Sequence, residues 1–331
     1  MHSAPRALTK DPTVKFVVVQ ISLILLLWGD TSCWAEPLSV NSVPLNVDIG
    51  TQIAGSGGDL VYRGGVELSS EDPRFGGFSG LLVTHNGNKL LAISDRGWWL
   101  QGDLFYNESG DLVGVQHVEI LPMRPLEAGP NFTLDAEAVV QTGDGELVVA
   151  YERQHRLWSY SDVWSGPKPI NMGKALSKLP FNLGIESLVF MAPGEFLAIT
   201  ESRAEGQNFA AFYRTKSGLS LVKYPYDSYF RPSDAVRIAE SKLLVLERGY
   251  NKEVGVGARL VLAQLLRHDG HFEITGNVLV NLRWPIPLDN FEGLAIVQSP
   301  SVANTIYLLS DDNYSKDQRT LLLMFEFRRW H

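Results

Sequence analysis

The chain has 331 residues, of which 45% are hydrophobic and 20% are charged, and its formal net charge is −8. This composition is that of a folded globular domain, and the acidic balance excludes nucleic acid and anionic membrane surfaces as general partners. Cys33 is the only cysteine, so the chain forms no internal disulfide and no zinc site built on several cysteines.

The amino terminus has the pattern of a secretory signal peptide. Basic residues precede an apolar run from Phe16 to Trp28, and Cys33 and Ala35 supply small residues at the −3 and −1 positions of a cleavage site. The run is short for a membrane span, which needs about 20 apolar residues. The sequence predicts a cleaved signal over residues 1–35 and a periplasmic or secreted domain over residues 36–331. An uncleaved anchor and a lipoprotein acylated at Cys33 are the alternatives.

Five copies of one β-hairpin pattern follow in chain order from Phe78 onwards. In the first copy, short apolar runs flank a turn at Asn86, Gly87 and Asn88, a composition typical of hairpins. Each copy opens with a serine or an acid and closes with an acid. The opening residues are Ser79, Glu137, Glu186, Asp234 and Glu292, and the closing acids are Asp95, Glu152, Glu201, Glu247 and Asp311. Successive openings are 58, 49, 48 and 58 residues apart, and such a repeat in a β-rich chain predicts propeller blades.

Two further strand-like runs follow each of the first four hairpins, which gives each repeat the four strands of a propeller blade. A short helical piece is predicted only within Gly173 to Leu179. The carboxy-terminal run from Thr320 to Phe327 needs a partner, because an unpaired strand leaves an exposed sheet edge. We expect it to pair with a strand within Pro37 to Ser70. The predicted fold is an all-β propeller with five visible repeats, closed by its terminal strands; the alternative adds a sixth blade built from Pro37 to Ser70.

The hairpin geometry predicts that opening and closing residues meet. In each copy the two residues are nearly equidistant from the turn, and such residues lie opposite each other in an antiparallel pair. Since the first strand of a blade lines the central channel, nine carboxylates would converge on one mouth of that channel. Two carboxylates about 4 Å apart repel by roughly 4 kcal/mol at an effective dielectric constant near 20. The mouth therefore needs compensating positive charge.

Arginines and a bound cation are the two available sources of that charge. Four closing acids are followed directly by an arginine; these are Arg96, Arg153, Arg203 and Arg248. The fifth, Asp311, is followed by Asp312 and Asn313, whose oxygen atoms suit a hard cation. A ring of purely structural salt bridges between repeats is the plain alternative. The chain shows no nucleophile elbow, phosphate loop, dinucleotide fingerprint or paired-histidine zinc motif.

Several motifs together resemble the phytase-like family of bacterial exported proteins, whose domain is described as having esterase-like activity. These motifs are Gly76–Leu81 with Ser94–Gly97, Asp135–Ala138, Gly184–Leu188, and Asn290–Leu294 with Ser310–Asn313. The resemblance covers about Gly58 to Phe327. It implies an architecture similar to that of the calcium-dependent propeller phytases, in which Ca²⁺ ions at an acidic channel mouth bind phosphate and activate water.

On this basis the predicted function is a metal-dependent ester or phosphoester hydrolase, with Ca²⁺ as the expected ion and a small anionic molecule as substrate. We expect a monomer with no nucleic-acid partner and no membrane contact after signal cleavage. Asp95 or Glu152 is the expected catalytic base. The predicted metal ligands are Glu137, Glu186, Asp234, Glu292, Asp311 and Asp312.

Arginines are expected to hold the anionic group, because guanidinium binds phosphate with two parallel hydrogen bonds. The predicted substrate-binding residues are Arg96, Arg153, Arg203 and Arg248. Two alternatives stay open. One is a non-enzymatic ligand-binding or scaffold propeller in the periplasm, and the other is a lactonase-type propeller hydrolase, which also places one calcium ion at a channel of carboxylates.

Overall fold

The computed structural model describes residues 35–55, 60–126, 133–204, 208–268, 271–298 and 304–327. Within these ranges the regular structure is β-strand apart from one short 3-10 helix, η1 at Leu176–Lys178, so the all-β prediction is confirmed. No helix of the described ranges is long and apolar enough to cross a membrane. The predicted signal peptide, including Cys33, lies outside the described residues except for Ala35.

The described chain begins with three short strands and one long one. They are β1 (Glu36–Pro37), β2 (Asn41–Pro44), β3 (Gln52–Ile53) and β4 (Leu60–Ser69). Strands β2 and β3 pair with β4. These strands add to the edges of other sheets, and within the described residues they form no four-stranded unit of their own.

The rest of the described chain forms antiparallel units of neighbouring strands, which we number 1 to 5. Unit 1 contains β5 (Phe78–Val83), β6 (Lys89–Ser94), β7 (Trp98–Tyr106) and β8 (Leu112–Pro122); unit 2 contains β9 (Ala136–Gln141), β10 (Leu147–Tyr151), β11 (Arg156–Tyr160) and β12 (Lys168–Ile170); unit 3 contains β13 (Ile185–Ala192), β14 (Glu195–Ala204), β15 (Asn208–Thr215) and β16 (Gly218–Pro225); unit 4 contains β17 (Phe230–Arg237), β18 (Lys242–Asn251), β19 (Gly255–His268) and β20 (His271–Asn281); unit 5 contains β21 (Phe291–Val297), β22 (Asn304–Ser310) and β23 (Thr320–Phe327).

Strand β4 supplies the fourth strand of unit 5. It pairs antiparallel with β23, with Leu68 opposite Thr320 and Leu60 opposite Phe327. The first strands of the units contact one another in a cycle, because β5 contacts both β21 and β9, β9 contacts β13, β13 contacts β17, and β17 contacts β21. The amino ends of these five strands therefore come close together.

Hydrophobic side chains fill the spaces between neighbouring units. Successive side chains of a strand point to opposite faces, so Val148 of β10 packs in a cluster with Leu188 of unit 3, while Val149 packs with Ile93 of unit 1. All five residues of β10 are buried for this reason. The apolar runs lack a polar alternation because both faces of each unit are covered.

Each first strand carries a β-bulge near its amino end. In unit 1, Phe78 pairs with Ser94 and Gly80 pairs with Ile93, which leaves Ser79 as the extra residue. The extra residues of the five first strands are Ser79, Glu137, Glu186, Ser233 and Glu292. A bulge turns the side chain of its extra residue out of the regular alternation, so one side chain of each unit leaves that alternation near the amino end of the first strand.

Candidate functional site

A cavity of about 290 Å³ lies where the amino ends of the first strands meet, and we call it the acid cavity. Its lining residues are Ser79, Asp95, Asp135, Glu137, Glu152, Arg153, Asn182, Glu186, Glu201, Arg248, Glu292, Asp311 and Asn313. The lining thus holds eight carboxylates and two arginines, a formal surplus of six negative charges. Most of the residues predicted from the hairpin pattern are brought together here.

The positions of these acids in the acid cavity are set by the β-bulges and by the last paired residues of the second strands. In unit 5, Glu292 is the extra residue of the bulge, and Asp311 directly follows Ser310, the residue paired with Phe291. The same relation holds in unit 3, where Glu186 is the extra residue and Glu201 follows Thr200. One acid of each pair therefore comes from the first strand. The other follows the last residue that pairs with that strand; it lies after β22 in unit 5 and within β14 in unit 3.

Unit 4 departs from the prediction by one residue. Pro232 pairs with Glu247 and Asp234 pairs with Leu246, so the extra residue is Ser233 and the position after the pair belongs to Arg248. The predicted opening and closing acids of this unit each miss the equivalent position, because a shift of one residue moves a side chain to another face. An arginine consequently takes the place that an acid holds in the other units.

Asp234 does not line the acid cavity, in contrast to its predicted role as a metal ligand. Its buried carboxylate accepts hydrogen bonds from the backbone N–H of Leu294 at 2.7 Å and of Ala235 at 2.8 Å. Glu247 also points elsewhere, since it accepts a hydrogen bond from the Tyr224 hydroxyl at 2.7 Å and pairs with Arg259. Both acids hold the protein together instead of facing the cavity.

Asp312 is likewise placed outside the cavity lining. Its carboxylate accepts hydrogen bonds from the backbone N–H of Gly77 at 3.0 Å, the backbone N–H of Tyr314 at 2.9 Å and the Thr320 hydroxyl at 3.0 Å. With three donors already present, this predicted metal ligand instead fixes the loop that carries Asp311.

Arg248 is the arginine at the center of the acid cavity. Its Nη2 lies 2.9 Å from Glu201, 3.1 Å from Glu292 and 4.0 Å from Glu186. Arg203 lies elsewhere: it donates a hydrogen bond to the Tyr226 hydroxyl at 2.5 Å and stacks over that ring. Of these two predicted substrate-binding residues, one is engaged by carboxylates and the other does not line the cavity.

Arg96 and Arg153 line a second cavity of about 550 Å³, which we call the side cavity. Asp95, Asp135 and Arg153 line both cavities, so the two spaces adjoin. The Nε of Arg153 lies 2.8 Å from Asp135, and Arg96 lies 3.3 Å from the ring centroid of Tyr314. Among the described residues, none accepts a hydrogen bond from the terminal nitrogens of either arginine. Both guanidinium edges are therefore open to an anion.

Three acids of unit 2 have the arrangement of a cation site. Asp135, Glu137 and Glu152 each offer one carboxylate oxygen, and these atoms lie within 4.8 Å of one another. Glu152 is held by the backbone N–H of Gly184 at 2.8 Å. An all-oxygen donor set with excess negative charge fits a hard cation such as Ca²⁺, which takes carboxylate and carbonyl oxygens. The pattern missed Asp135 as a ligand, although its spacing of two from Glu137 in Asp-Ala-Glu was visible.

Burial makes the acids of the cavity hard to ionise. It raises the pKa of Asp95 to about 6 and that of Asp311 to about 9. Burial, followed by repulsion from neighbouring carboxylates, also raises the pKa of Glu137 and Glu186 well above the ordinary value. Asp311, Glu137 and Glu186 therefore hold protons at neutral pH unless a cation compensates their charge, whereas Asp95 is mostly ionised.

Unusual backbone conformations concentrate beside this cavity. Five described non-glycine residues have positive φ, and four of them are Asp135 at 47°, Arg153 at 55°, Asn313 at 47° and Tyr314 at 51°. Such conformations cost about 1–3 kcal/mol each and cluster at functional sites. The strain is found in the segments that carry the cation-site acid Asp135 and the open arginine Arg153.

The fold and this site define an all-β protein with an acid-lined cavity. A family model described as "Phytase-like: Esterase-like activity of phytase" matches residues 73–314. The chain belongs to this family, and the resemblance found in its sequence motifs is confirmed. No curated protein matches the chain.

Several solved structures share similarity with the chain at low identity. A gluconolactonase, XC5397 from Xanthomonas campestris, is 11% identical, with 88% of this chain and 99% of that chain covered and a TM-score of 0.41. The N-terminal domain of Nup159 is 10% identical, with 87% and 100% covered and a TM-score of 0.40. Virginiamycin B lyase from Staphylococcus aureus is 10% identical, with 87% and 99% covered and a TM-score of 0.39.

Proposed function

We propose that this phytase-like protein is a five-bladed propeller hydrolase that cleaves a small anionic ester or phosphoester with the help of a divalent cation, Ca²⁺, in the acid cavity. The observation that carries the proposal is the pairing of two adjoining spaces. One space holds eight carboxylates against two arginines. The other holds Arg96 and Arg153, whose guanidinium edges are open, beside Asp95 and Asp135. We assign the cation to the first space and the anionic group of the substrate to the two arginines of the second.

Asp135, Glu137 and Glu152 are the residues that would hold the cation, because their oxygens already lie within 4.8 Å of one another. A bound divalent cation supplies Lewis acidity and lowers the pKa of bound water. Glu186, Glu292 and Asp311 line the same cavity. Ca²⁺ takes six to eight oxygen ligands, so we propose that these three acids supply further ligands to the cation.

Arg96 and Arg153 bind the anionic group of the substrate in this proposal. A guanidinium edge forms two parallel hydrogen bonds with a carboxylate or phosphate, and these two edges are open. Arg248 instead neutralises Glu201 and Glu292, with which it is already in contact. We assign it to the stability of the acid cavity and leave it out of substrate binding.

Asp95 is the base of choice. It lines both the acid cavity and the side cavity, so it borders the space between cation and anion sites, where the scissile bond would lie. Its pKa of about 6, raised by burial, suits proton transfer near neutral pH. Glu152 is less suited to this role because its carboxylate is fixed by Gly184 and groups with the cation-site acids.

The test is elemental analysis of the purified protein together with turnover of p-nitrophenyl phosphate and p-nitrophenyl acetate. Calcium should copurify, a chelator should remove both the ion and the turnover, and added Ca²⁺ should restore both. Glu137→Gln should lose the ion, whereas Asp144→Asn, a change at an exposed acid in a distant turn, should keep it. Turnover that persists in chelator, or a protein without any retained divalent cation, would contradict the proposal.

Two other functions use the same cavity. A ligand-binding or scaffold propeller is favoured by the contacts of Arg248 with Glu201 and Glu292, which neutralise part of the cavity without a cation. A lactonase needs only one cation beside the carboxylates, as Asp135, Glu137 and Glu152 provide. Ring opening of aryl or sugar lactones without phosphoester turnover would identify the lactonase, and absence of all turnover would identify the scaffold.

We also propose that residues 1–35 are removed during export and that the mature domain acts as a monomer in the periplasm or outside the cell. The basic residues, apolar run and small cleavage-site residues support this. The intact mass of protein recovered from a periplasmic extract should correspond to a chain beginning at Glu36. Recovery of the full-length chain in the membrane fraction would contradict it.

A further inference from the structure

A third cavity, of about 650 Å³, lies on the other side of Arg153, and we call it the loop pocket. It is formed by the turn between β10 and β11 and by the loop that leads from β12 to β13. Its apolar lining residues are Ile170, Met172, Leu176, Leu179 and Phe181. Its size falls in the range of roughly 300–1,000 Å³ found for small-molecule sites.

The floor of the loop pocket is fixed by the hydrophobic core. Met172 and Leu176 are buried in the cluster between units 2 and 3, and Leu179 packs against that cluster. The wall is tied to unit 2, because the Nε2–H of His155 donates a hydrogen bond to the carbonyl oxygen of Pro180 at 2.8 Å. These contacts hold the loop against the turn, so the pocket is a built feature of the fold.

The loop pocket adjoins the proposed active site. Arg153 lines the loop pocket, the acid cavity and the side cavity alike. Phe181 lines the pocket while its neighbour Asn182 lines the acid cavity. Gly184, two residues further on, donates its N–H to Glu152 of the cation site. A ligand that occupies both the acid cavity and the loop pocket would therefore pass Arg153.

The polarity of the pocket differs from that of the two spaces beside it. Phe181 is 68% exposed to solvent, so an apolar ligand group that covers its ring removes apolar surface from water. A substrate that is charged on all sides would leave this ring and Leu179 against charged groups, which is unfavourable. A substrate with one anionic group and one aromatic group matches Arg153 on one side and the apolar wall on the other.

We infer that the loop pocket binds the aryl group of the substrate, so that the preferred substrates are aromatic esters or phosphoesters that carry a single anionic group. This inference rests on the proposed function for the placement of the scissile bond. It deepens that function by naming the substrate class, and it assigns Leu179 and Phe181 as specificity-determining residues. Arg153 then orients the anionic group between the pocket and the cation site.

Binding of phosphonates that cannot be hydrolysed tests the inference without requiring turnover. Titration calorimetry of the calcium-loaded protein should give a dissociation constant at least about tenfold lower for 1-naphthylphosphonate than for methylphosphonate, because burial of a ring removes apolar surface from water. Phe181→Ser and Leu179→Ser should each weaken naphthylphosphonate binding by about fivefold and leave methylphosphonate binding unchanged. Trp284→Ser, a change at a ring that is 88% exposed and outside the pocket, should alter neither.

Equal affinity for the two phosphonates, no binding of either, or an equal loss from Trp284→Ser would overturn the inference. Phe181 is largely exposed, so Phe181→Ser should keep the wild-type melting temperature, and Leu179→Ser gives a second, independent variant. Aryl selectivity without any ester turnover would uphold the aryl pocket and reject the hydrolase. Turnover without aryl preference would uphold the hydrolase and reject the aryl pocket.

Discussion

Units 2 and 4 carry similar acids at the start of their first hairpins, but the two units use them differently. In unit 2, Glu137 and Glu152 line the acid cavity. In unit 4, Asp234 and Glu247 accept hydrogen bonds from other groups of the protein and do not line it. A shift of one residue in strand pairing separates the two cases. The acid motif thus gives the position of a residue along its strand, but the pairing register determines whether the side chain faces the cavity.

The shift in unit 4 also brings positive charge into the cavity. Arg248 occupies the position equivalent to Glu152 of unit 2 and contacts Glu201 and Glu292. Without Arg248, the eight carboxylates of the lining would face Arg153 alone. Unit 4 therefore compensates charge, and unit 2 offers the open carboxylates.

The largest effect on stability is expected from Arg248→Gln, which removes the compensating charge. Loss of one partner from a buried ion-pair cluster leaves uncompensated carboxylates, so the free energy of unfolding should fall by about 3 kcal/mol in the absence of divalent cations. Urea unfolding in chelator measures this. Arg203→Gln is the matched control, because Arg203 lies outside the cavity, and it should cost less than about 1 kcal/mol. Equal losses from both changes would show that Arg248 has no special compensating role.

Glu137→Gln and Glu247→Gln test the contrast between the two units directly. The change in unit 2 should abolish calcium retention and lower kcat/KM by about a hundredfold, with no loss of stability in chelator. The change in unit 4 should lower the free energy of unfolding by about 2 kcal/mol, because it weakens the contacts with Tyr224 and Arg259, and should leave the calcium content unchanged. Metal analysis and urea unfolding of both variants test this difference. Loss of calcium from the Glu247 variant would contradict the different roles assigned to the acids of units 2 and 4.

The stability of the cation-free protein should fall as pH rises from about 4 to about 9. Burial raises the pKa of Asp95 to about 6 and that of Asp311 to about 9, from a usual value of 3.8. A carboxyl group with a raised pKa binds its proton more tightly in the folded chain, so its stabilising contribution is complete below the unfolded pKa and is lost as pH rises through the folded pKa.

The loss expected from Asp95 alone is about 3 kcal/mol, since each pKa unit corresponds to about 1.4 kcal/mol. Saturating Ca²⁺ should flatten the dependence, because a cation that binds only the folded, ionised site stabilises it by mass action. Urea unfolding at pH 5, 7 and 9, with chelator and with calcium, provides the measurement. A cation-free protein that becomes more stable toward pH 9 would contradict the burial of these acids.

The smallest expected effect is a difference in KM between variants of Arg153 and Arg203. Arg153→Gln should raise KM for p-nitrophenyl phosphate by about tenfold, since a charged hydrogen bond to the anion is lost. Arg203→Gln should change KM by less than about twofold. Steady-state kinetics in saturating calcium suffices, and similar effects from both variants would remove the distinction between an open and an engaged guanidinium.

Local pattern was enough to predict most of the hairpins and the meeting of their acids. In three units a short apolar run ends in a hydroxyl residue and an acid, as in Ser94–Asp95, Thr200–Glu201 and Ser310–Asp311. The hydroxyl residue pairs with the first strand just before the bulge. The turn and the alternation along the strand therefore determine where the acid lies.

Unit 4 lacked that signal. Glu247 itself occupies the paired position, opposite Pro232, and no hydroxyl residue precedes it. Asp234 was predicted to be the equivalent of Glu186, but the bulge residue of unit 4 is Ser233, one residue earlier.

Distant partners explain the remaining differences. Asp312 is engaged by Gly77, which lies 235 residues earlier in the chain, and Arg203 is engaged by Tyr226 from the next loop. The loop pocket depends on how Met172 and Leu176 pack between two units. Contacts of this kind arise from the assembled fold and leave no pattern in a single stretch of sequence.

The pairing of β4 with β23 ties the order of folding to the order of synthesis. Residues 60–69 must wait for residues 320–327 before their sheet is complete, whereas units 1 to 4 are each built from consecutive segments. Contacts between such remote segments are slow to form. We therefore expect a chain whose β4 and β23 meet late to acquire its lasting resistance to proteolysis only after its final strand has arrived.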